Sequence, residues 1–109
     1  MPTTYKVLGQ VYPSAVTNTT LYTVPSATQT VVSTINICNQ GVNSDAIRIA
    51  IRVAGSAISS EEYIAFEEPI AGYSMMTITA GLTLGATDVV TVYSTTGTTS
   101  FNAFGSEIS

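Results

Sequence analysis

An all-β sandwich of about eight strands, with Greek-key or jelly-roll-like connections, is the fold this sequence predicts, and three observations predict it. The chain is rich in Val, Ile, Thr and Tyr, which suit a pleated, half-buried surface. Its short apolar runs are separated at steady spacing by turn-forming residues, the rhythm of a sandwich or barrel. No long segment carries a helical stripe flanked by caps. The 109 residues suit one domain, 1–109, with a single core.

Each expected strand ends at a turn-forming stretch. Tyr5–Tyr12 stops at YPSAVTNT and Thr20–Val24 at VPSATQ, where Pro13 and Pro25 cannot donate to a ladder. Thr30–Asn39 runs into NQGVNSD, Ala46–Val53 into AGSAISS, and Glu62–Phe66 into EPIAG. Tyr73–Ala80 leads to GLTLGAT, Asp88–Ser94 to TTGT, and Thr99–Ile108 closes the chain. Every connection holds Gly, Pro, Asn, Asp or Ser, which turn a backbone through positive φ, fixed φ or a local side-chain bond. Pro13, Pro25 and Pro69 are expected to flank strands and interrupt none. The inner face is expected to include Val31, Ile35, Ile37, Ile47, Ile49, Ile51, Ile78, Val90 and Val92.

The stretch SDAIRIAIRVAG tests the period directly. At period two, Ile47, Ile49, Ile51 and Val53 share one face, and Arg48, Ala50 and Arg52 the other. On a helix the isoleucines would scatter round the axis and lose χ1 freedom. The strand wins, and its four apolar side chains supply roughly 6–10 kcal/mol of gross burial at about 1.5–3 kcal/mol each.

Composition removes several kinds of chemistry. The chain has no histidine, no tryptophan and one cysteine, Cys38, which reads as a small buried hydrophobe. An internal disulfide framework, a cysteine–histidine zinc site and a Ser-His-Asp triad are therefore out of reach. The glycine-rich pieces lack the phosphate-loop spacing and its lysine. Catalytic, cofactor-binding and metal residues are all read as none, and no enzymatic activity is expected. The start, MPTTYKVLGQ, reads as lacking a secretory signal, and no apolar run approaches the length of a membrane span.

Only 9% of the residues are charged, against roughly a quarter in an ordinary soluble domain. Polarity comes instead from 18 threonines and 12 serines, a surface suited to packing against neighbours or to use outside a cell. Seven acidic residues outnumber three basic ones, so no field gathers a nucleic acid. Arg48 and Arg52 have two readings: pairing across the outer face with carboxylates such as Glu62 or Glu67, or contact with a neighbouring subunit, where arginine is enriched. The second makes them the suspected protein interface.

Glu61, Glu62, Glu67 and Glu68 bracket a short strand and read as charged gatekeepers of a sheet edge. At period two Glu62, Ile64 and Phe66 fall on one face, and Glu61, Tyr63, Ala65 and Glu67 on the other. Calcium at this cluster, or a pair of catalytic carboxylates facing across a cleft, are the competing readings. The six tyrosines place rings against the core or a partner, and an exposed cluster of them would mark a glycan-binding platform.

YKVLGQVYPSAVTNTTLYTVPSATQTVVSTINICNQG, continued by AIRIAIRVAG and DVVTVYSTTGTTSFNAFGSEI, resembles small virion proteins of tailed bacteriophages, especially those of cyanobacteria and marine bacteria. The pieces that carry the likeness are the opening LGQ…P, Leu21-Tyr22-Thr23-Val24-Pro25, Cys38-Asn39-Gln40-Gly41, Arg52 through Gly55, and Asp88-Val89-Val90 before Phe101-Asn102. The resemblance implies a virion β-sandwich, used as a capsid decoration (cement) protein. The alternative it leaves open is a tail, baseplate or fibre module that binds a host-surface glycan. It implies the major capsid protein as partner, a homotrimer, no nucleic acid, no membrane, and a place on the capsid surface after synthesis in the host cytoplasm. It lends no catalytic residue.

Overall fold

The computed structural model describes residues 2–79 and 81–109. Among the described residues nine strands run in order: β1 (Thr3–Val11), β2 (Thr19–Thr23), β3 (Gln29–Asn39), β4 (Asp45–Arg52), β5 (Tyr63–Ile70), β6 (Met75–Ile78), β7 (Leu82–Leu84), β8 (Val89–Ser94) and β9 (Thr99–Ile108). They form two antiparallel sheets. One has the order β1-β9-β3-β6 with β7 also on β3, and the other β2-β8-β4-β5.

β6 and β7 lie end to end along one edge of β3, β6 against Ile35–Cys38 and β7 against Thr30–Val32. With that broken edge counted as one strand, the pairs run first with last, second with second-last, third with sixth and fourth with fifth. A long antiparallel hairpin rolled upon itself has this pairing, and the result is an eight-position jelly roll. The expected sandwich is therefore the observed one.

Several elements differ from the sequence expectation. GLTLGAT, read as a connection, contains β7. The strand expected at Tyr73–Ala80 begins at Met75, and its last residue, Ala80, lies outside the described residues. β5 runs to Ile70 and takes in Pro69, which was expected to flank a strand. β5 is the outermost strand of its sheet, where a missing N–H can face solvent without cost. Val53 leaves β4 for a 3-10 turn, Val53–Gly55, and is 61% exposed, so the apolar alternation of β4 ends at Ile51.

Ile35, Ile37, Ile47, Ile49, Val90 and Val92 are fully buried around Phe101, as expected. Ile51 and Ile78 are half-buried against the rim of that cluster. Val31 faces outward, and Val32 takes its place inside. The cause is a bulge. Val32 pairs with Gly105 and Thr34 with Phe104, so Ser33 is an extra residue that reverses the phase of the strand. β1 bulges at the same height on the other side of β9, with Val7 against Phe104 and Gly9 against Ala103. Glycine is required at two points here. A Cβ at Gly105 would overlap the Val31 carbonyl oxygen, and one at Gly9 the Leu21 carbonyl oxygen.

Polar side chains close both ends of the core. At one end Tyr22 Oη, which is buried, donates to Glu107 Oε2 at 2.5 Å and bonds Thr30 Oγ1 at 2.8 Å. Lys6 Nζ reaches the other oxygen of Glu107 at 3.2 Å. At the opposite end, the last residue of β3 and the first of β4, Asn39 and Asp45, are both buried.

Candidate interaction surface

The outer face of the β2-β8-β4-β5 sheet holds the arginines singled out in the sequence. Register places Arg48 of β4 opposite Tyr93 of β8, and Ala50 opposite Thr91. On the other side, β5 passes Arg48 with one extra residue, because Ile47 pairs with Glu68 but Ile49 pairs with Ala65. Glu67 takes a left-handed φ of 53° inside this bulge. Non-glycine residues adopt that conformation rarely, and here it turns Phe66 and Glu67 toward the arginine.

Arg48 is clamped as a result. Its Nε donates to Glu67 Oε2 at 2.9 Å. The guanidinium carbon stands 4.6 Å from the centroid of Phe66 and 4.3 Å from that of Tyr93. A cation between two ring faces gains from both quadrupoles, and its planar head is fixed in orientation. Tyr63 meets Phe66 edge-on at 4.9 Å, extending the aromatic surface. The Glu67 hydrogen bond raises the Arg48 pKa, and the same bond holds the Glu67 carboxyl below its ordinary value. Period two separated Tyr63 from Phe66; the bulged strand brings them together.

Arg52 does different work. Its Nε donates to the Ser56 carbonyl at 2.6 Å and its Nη2 to the Gly55 carbonyl at 2.8 Å. These bonds fasten the turn that leaves β4, so its guanidinium serves the chain's own connection. The two arginines share a face but not a task.

The four glutamates are dispersed among local partners. Glu61 accepts from Ser59 Oγ at 2.8 Å. Glu62 accepts from Ser59 N at 3.1 Å, Ser56 Oγ at 3.3 Å and Val53 N at 3.4 Å, bracing the 53–62 connection. Glu67 pairs with Arg48, and Glu68 is exposed on β5. Among the described residues, no group of three or more His, Cys, Asp or Glu is placed to hold a metal ion. The tyrosines divide as well: Tyr5 lies on β1, Tyr22 in the core, Tyr63 and Tyr93 beside Arg48, and Tyr73 in the turn after β5. Cys38, expected to be buried, is half-buried on the outside of β3, because its neighbours Ile37 and Asn39 take the inward positions.

Sequence reasoning passed over two polar centres. Asp45 Oδ2 accepts from the hydroxyls of Ser94 and Thr99, both at 2.5 Å. Asp45 Oδ1 accepts from the backbone N–H of Ala46 at 2.8 Å, Thr95 at 3.1 Å and Thr96 at 3.0 Å. Burial pushes this carboxyl up, but the hydrogen bonds from Ser94, Thr99, Thr96 and Ala46 together outweigh it and leave the pKa lowered. Asn39 Nδ2 donates to the carbonyls of Asn43, Ile70 and Ala71. The one available signal was an Asn and an Asp bounding a short polar connection between two apolar strands.

No family model, curated protein or solved structure matches the chain.

Proposed function

We propose that this chain is a structural virion protein, a decoration (cement) subunit on the outer shell of a tailed phage, and that it meets the major capsid protein through the Arg48 face. The observation that carries the reading is the clamp itself. An arginine fixed between aromatic rings, with Phe66 58% exposed beside it, has the composition of an interface hot spot, where Arg, Tyr and Trp dominate and pre-orientation lowers the entropy cost. The resemblance in the ordered sequence pieces supplies the virion context. A second reading, a tail or fibre module that binds a host glycan, draws on the shallow depression lined by Ser60, Tyr63 and Phe66.

Electron microscopy of intact particles tests the choice. Density for this chain on the icosahedral shell is the expected result, and density confined to the tail or fibre overturns it. Arg48→Ser should lower shell occupancy while the purified variant keeps its β-type circular dichroism. It is a cleaner change than replacing both arginines, because Arg52→Ser would also loosen the turn at Gly55 and Ser56. Saturable binding of purified protein on a glycan array would move the conclusion to the second reading.

A further inference from the structure

We propose that the outer face of the β1-β9-β3-β6/β7 sheet is a self-association surface, on which a second copy of this chain packs face to face about a two-fold axis. The inference concerns the purified chain alone and stands or falls separately from attachment to a shell.

The face carries little charge. The five strands of this sheet contain two charged residues, Lys6 and Glu107, which pair with each other. Glu107 points inward to Tyr22 of the opposite sheet. Lys6 shares that inward side, since Thr4 pairs with Glu107 and Lys6 with Gly105. All other charged residues, six acidic and two basic, belong to the second sheet and its connections and carry the whole net charge of -4. The molecule therefore has one acidic side and one neutral side.

The neutral side is apolar at one end. Tyr5 is 83% exposed, Val7 48% and Phe104 36%, and Val31 lies beside them. Val7 and Phe104 are cross-strand partners, and Tyr5, Val31 and Phe104 line a single shallow depression whose edge also takes in Lys6, the residue paired with Glu107. The rest of the face is mostly hydroxyl and amide, including Asn36, Asn102 and Thr77, with Thr77 Oγ1 donating to Asn36 Oδ1 at 3.3 Å, and it ends at the cross-strand pair Cys38 and Met75.

Charge and hydrogen-bonding chemistry select the occupant. Two copies meeting through the acidic side would bring like charges together, and the neutral side avoids this. A two-fold interface must also be self-complementary. Charged side chains are not, whereas Asn, Ser and Thr both donate and accept and so can pair with their own copies. A strongly charged partner would lose hydration on this face and find no counter-charge. The size is adequate too. Ten residues of β9 at about 3.3 Å each and four strand positions about 4.8 Å apart give a projected face of roughly 600 Å². Side-chain relief raises it toward the ~800 Å² per partner of a standard interface. A homotrimer, as the resemblance implies, needs two unlike patches that fit each other; a face that matches itself gives a pair.

Sedimentation equilibrium of the full chain, from about 1 to 500 μM, reads the outcome on the concentration scale where weak pairs form. The expected mass rises from 11.4 kDa toward twice that value, and the curve is unmoved by salt that screens exposed charges. Val7→Glu, on an exposed edge position, should weaken the pair at least about tenfold by placing like charges near each other across the axis. Asn102→Asp does the same from a second strand, should Val7→Glu lower the melting temperature. Glu68→Gln, on the other sheet, should leave the curve unchanged. A monomer throughout, a trimer mass, or pairing that survives both charged variants in folded protein overturns the proposal.

Discussion

Asn39 and Asp45, six positions apart, grip the same connection between β8 and β9: Asn39 Oδ1 accepts from Thr98 Oγ1 at 2.8 Å, and Asp45 Oδ2 accepts from Thr99 Oγ1 at 2.5 Å. One residue ends β3 in the first sheet and the other begins β4 in the second. The β8–β9 connection, which also crosses between sheets, is thereby fixed to the β3–β4 crossing. Through the carbonyls of Ile70 and Ala71, Asn39 adds the connection after β5. A single polar cluster thus holds together the sheet-crossing connections at this end of the roll.

Asp45→Ala should therefore be among the costliest substitutions in the chain. It strands two buried hydroxyls and the N–H of Thr96 in one step, while the N–H of Thr95 keeps the Ala46 carbonyl at 3.1 Å. The expected loss is on the order of 3 kcal/mol, since each buried donor left without an acceptor costs roughly 1–3 kcal/mol and some recover water. A urea titration should show a lower midpoint with an unchanged slope. A midpoint within error of the parent would mean that the cluster does not hold the fold.

Acid should unfold the protein through the same residue. The Asp45 carboxyl titrates lower in the folded chain than its ordinary value of 3.8. Above that value both states are ionised and the hydrogen bonds contribute in full. As pH falls from there through the folded value, the unfolded chain takes up its proton first and stability is lost. Midpoints measured from pH 6 to 2 should fall more steeply for the parent than for Asp45→Asn; equal slopes would assign the acid sensitivity elsewhere.

The opposite end carries an alkaline signature. Burial pushes the Tyr22 phenol up to about 12, helped by its hydrogen bond to Glu107. Stability from this group is complete below the ordinary value of 10.0 and is lost as pH rises toward 12, because the unfolded tyrosine ionises first. In a spectrophotometric titration Tyr22 should ionise late, toward pH 12, and Tyr22→Phe should remove that step. The same variant should lose about 1 kcal/mol at neutral pH through the bonds to Thr30 and Glu107.

Thr91 offers a gain instead of a loss. Its Oγ1 is buried on the outer side of β8 and has no hydrogen-bond partner among the described residues. Thr91→Val keeps the β-branched shape and removes the unsatisfied hydroxyl. We expect a stabilisation of about 1 kcal/mol, seen as a rise of several degrees in melting temperature. A fall in melting temperature would show that the hydroxyl does have a partner in solution.

The legible part of the fold was the part written in local pattern. The alternation Ile47, Ile49, Ile51 fixed both the strand and its inward face, and the turn residues around Pro13, Pro25 and Gly41 marked where strands stop. Val31 and Val32 show where that legibility fails. Both are equally apolar, and only the extra residue Ser33, set against Phe104 of a strand some 70 positions away, decides which one points inward. The same holds for Phe66 and Tyr63, which local period puts on opposite faces and the β5 bulge brings into contact.

By itself, then, the sequence determined the class: Val, Ile and Thr at period two between turn-formers can bury one face only as paired sheets. It also excludes any site built on histidine, because histidine is absent. Pairing order, bulge positions and the company that Arg48, Asp45 and Asn39 keep were decided only by tertiary structure. The physical reason is that each depends on residues brought near by rolling the hairpin, so that Thr99 meets Asp45 and Tyr93 meets Arg48 across intervals no local period can span. The neutral face arises in the same way: its strands come from both ends and the middle of the chain, and only the β1-β9-β3 order lays their uncharged sides next to one another.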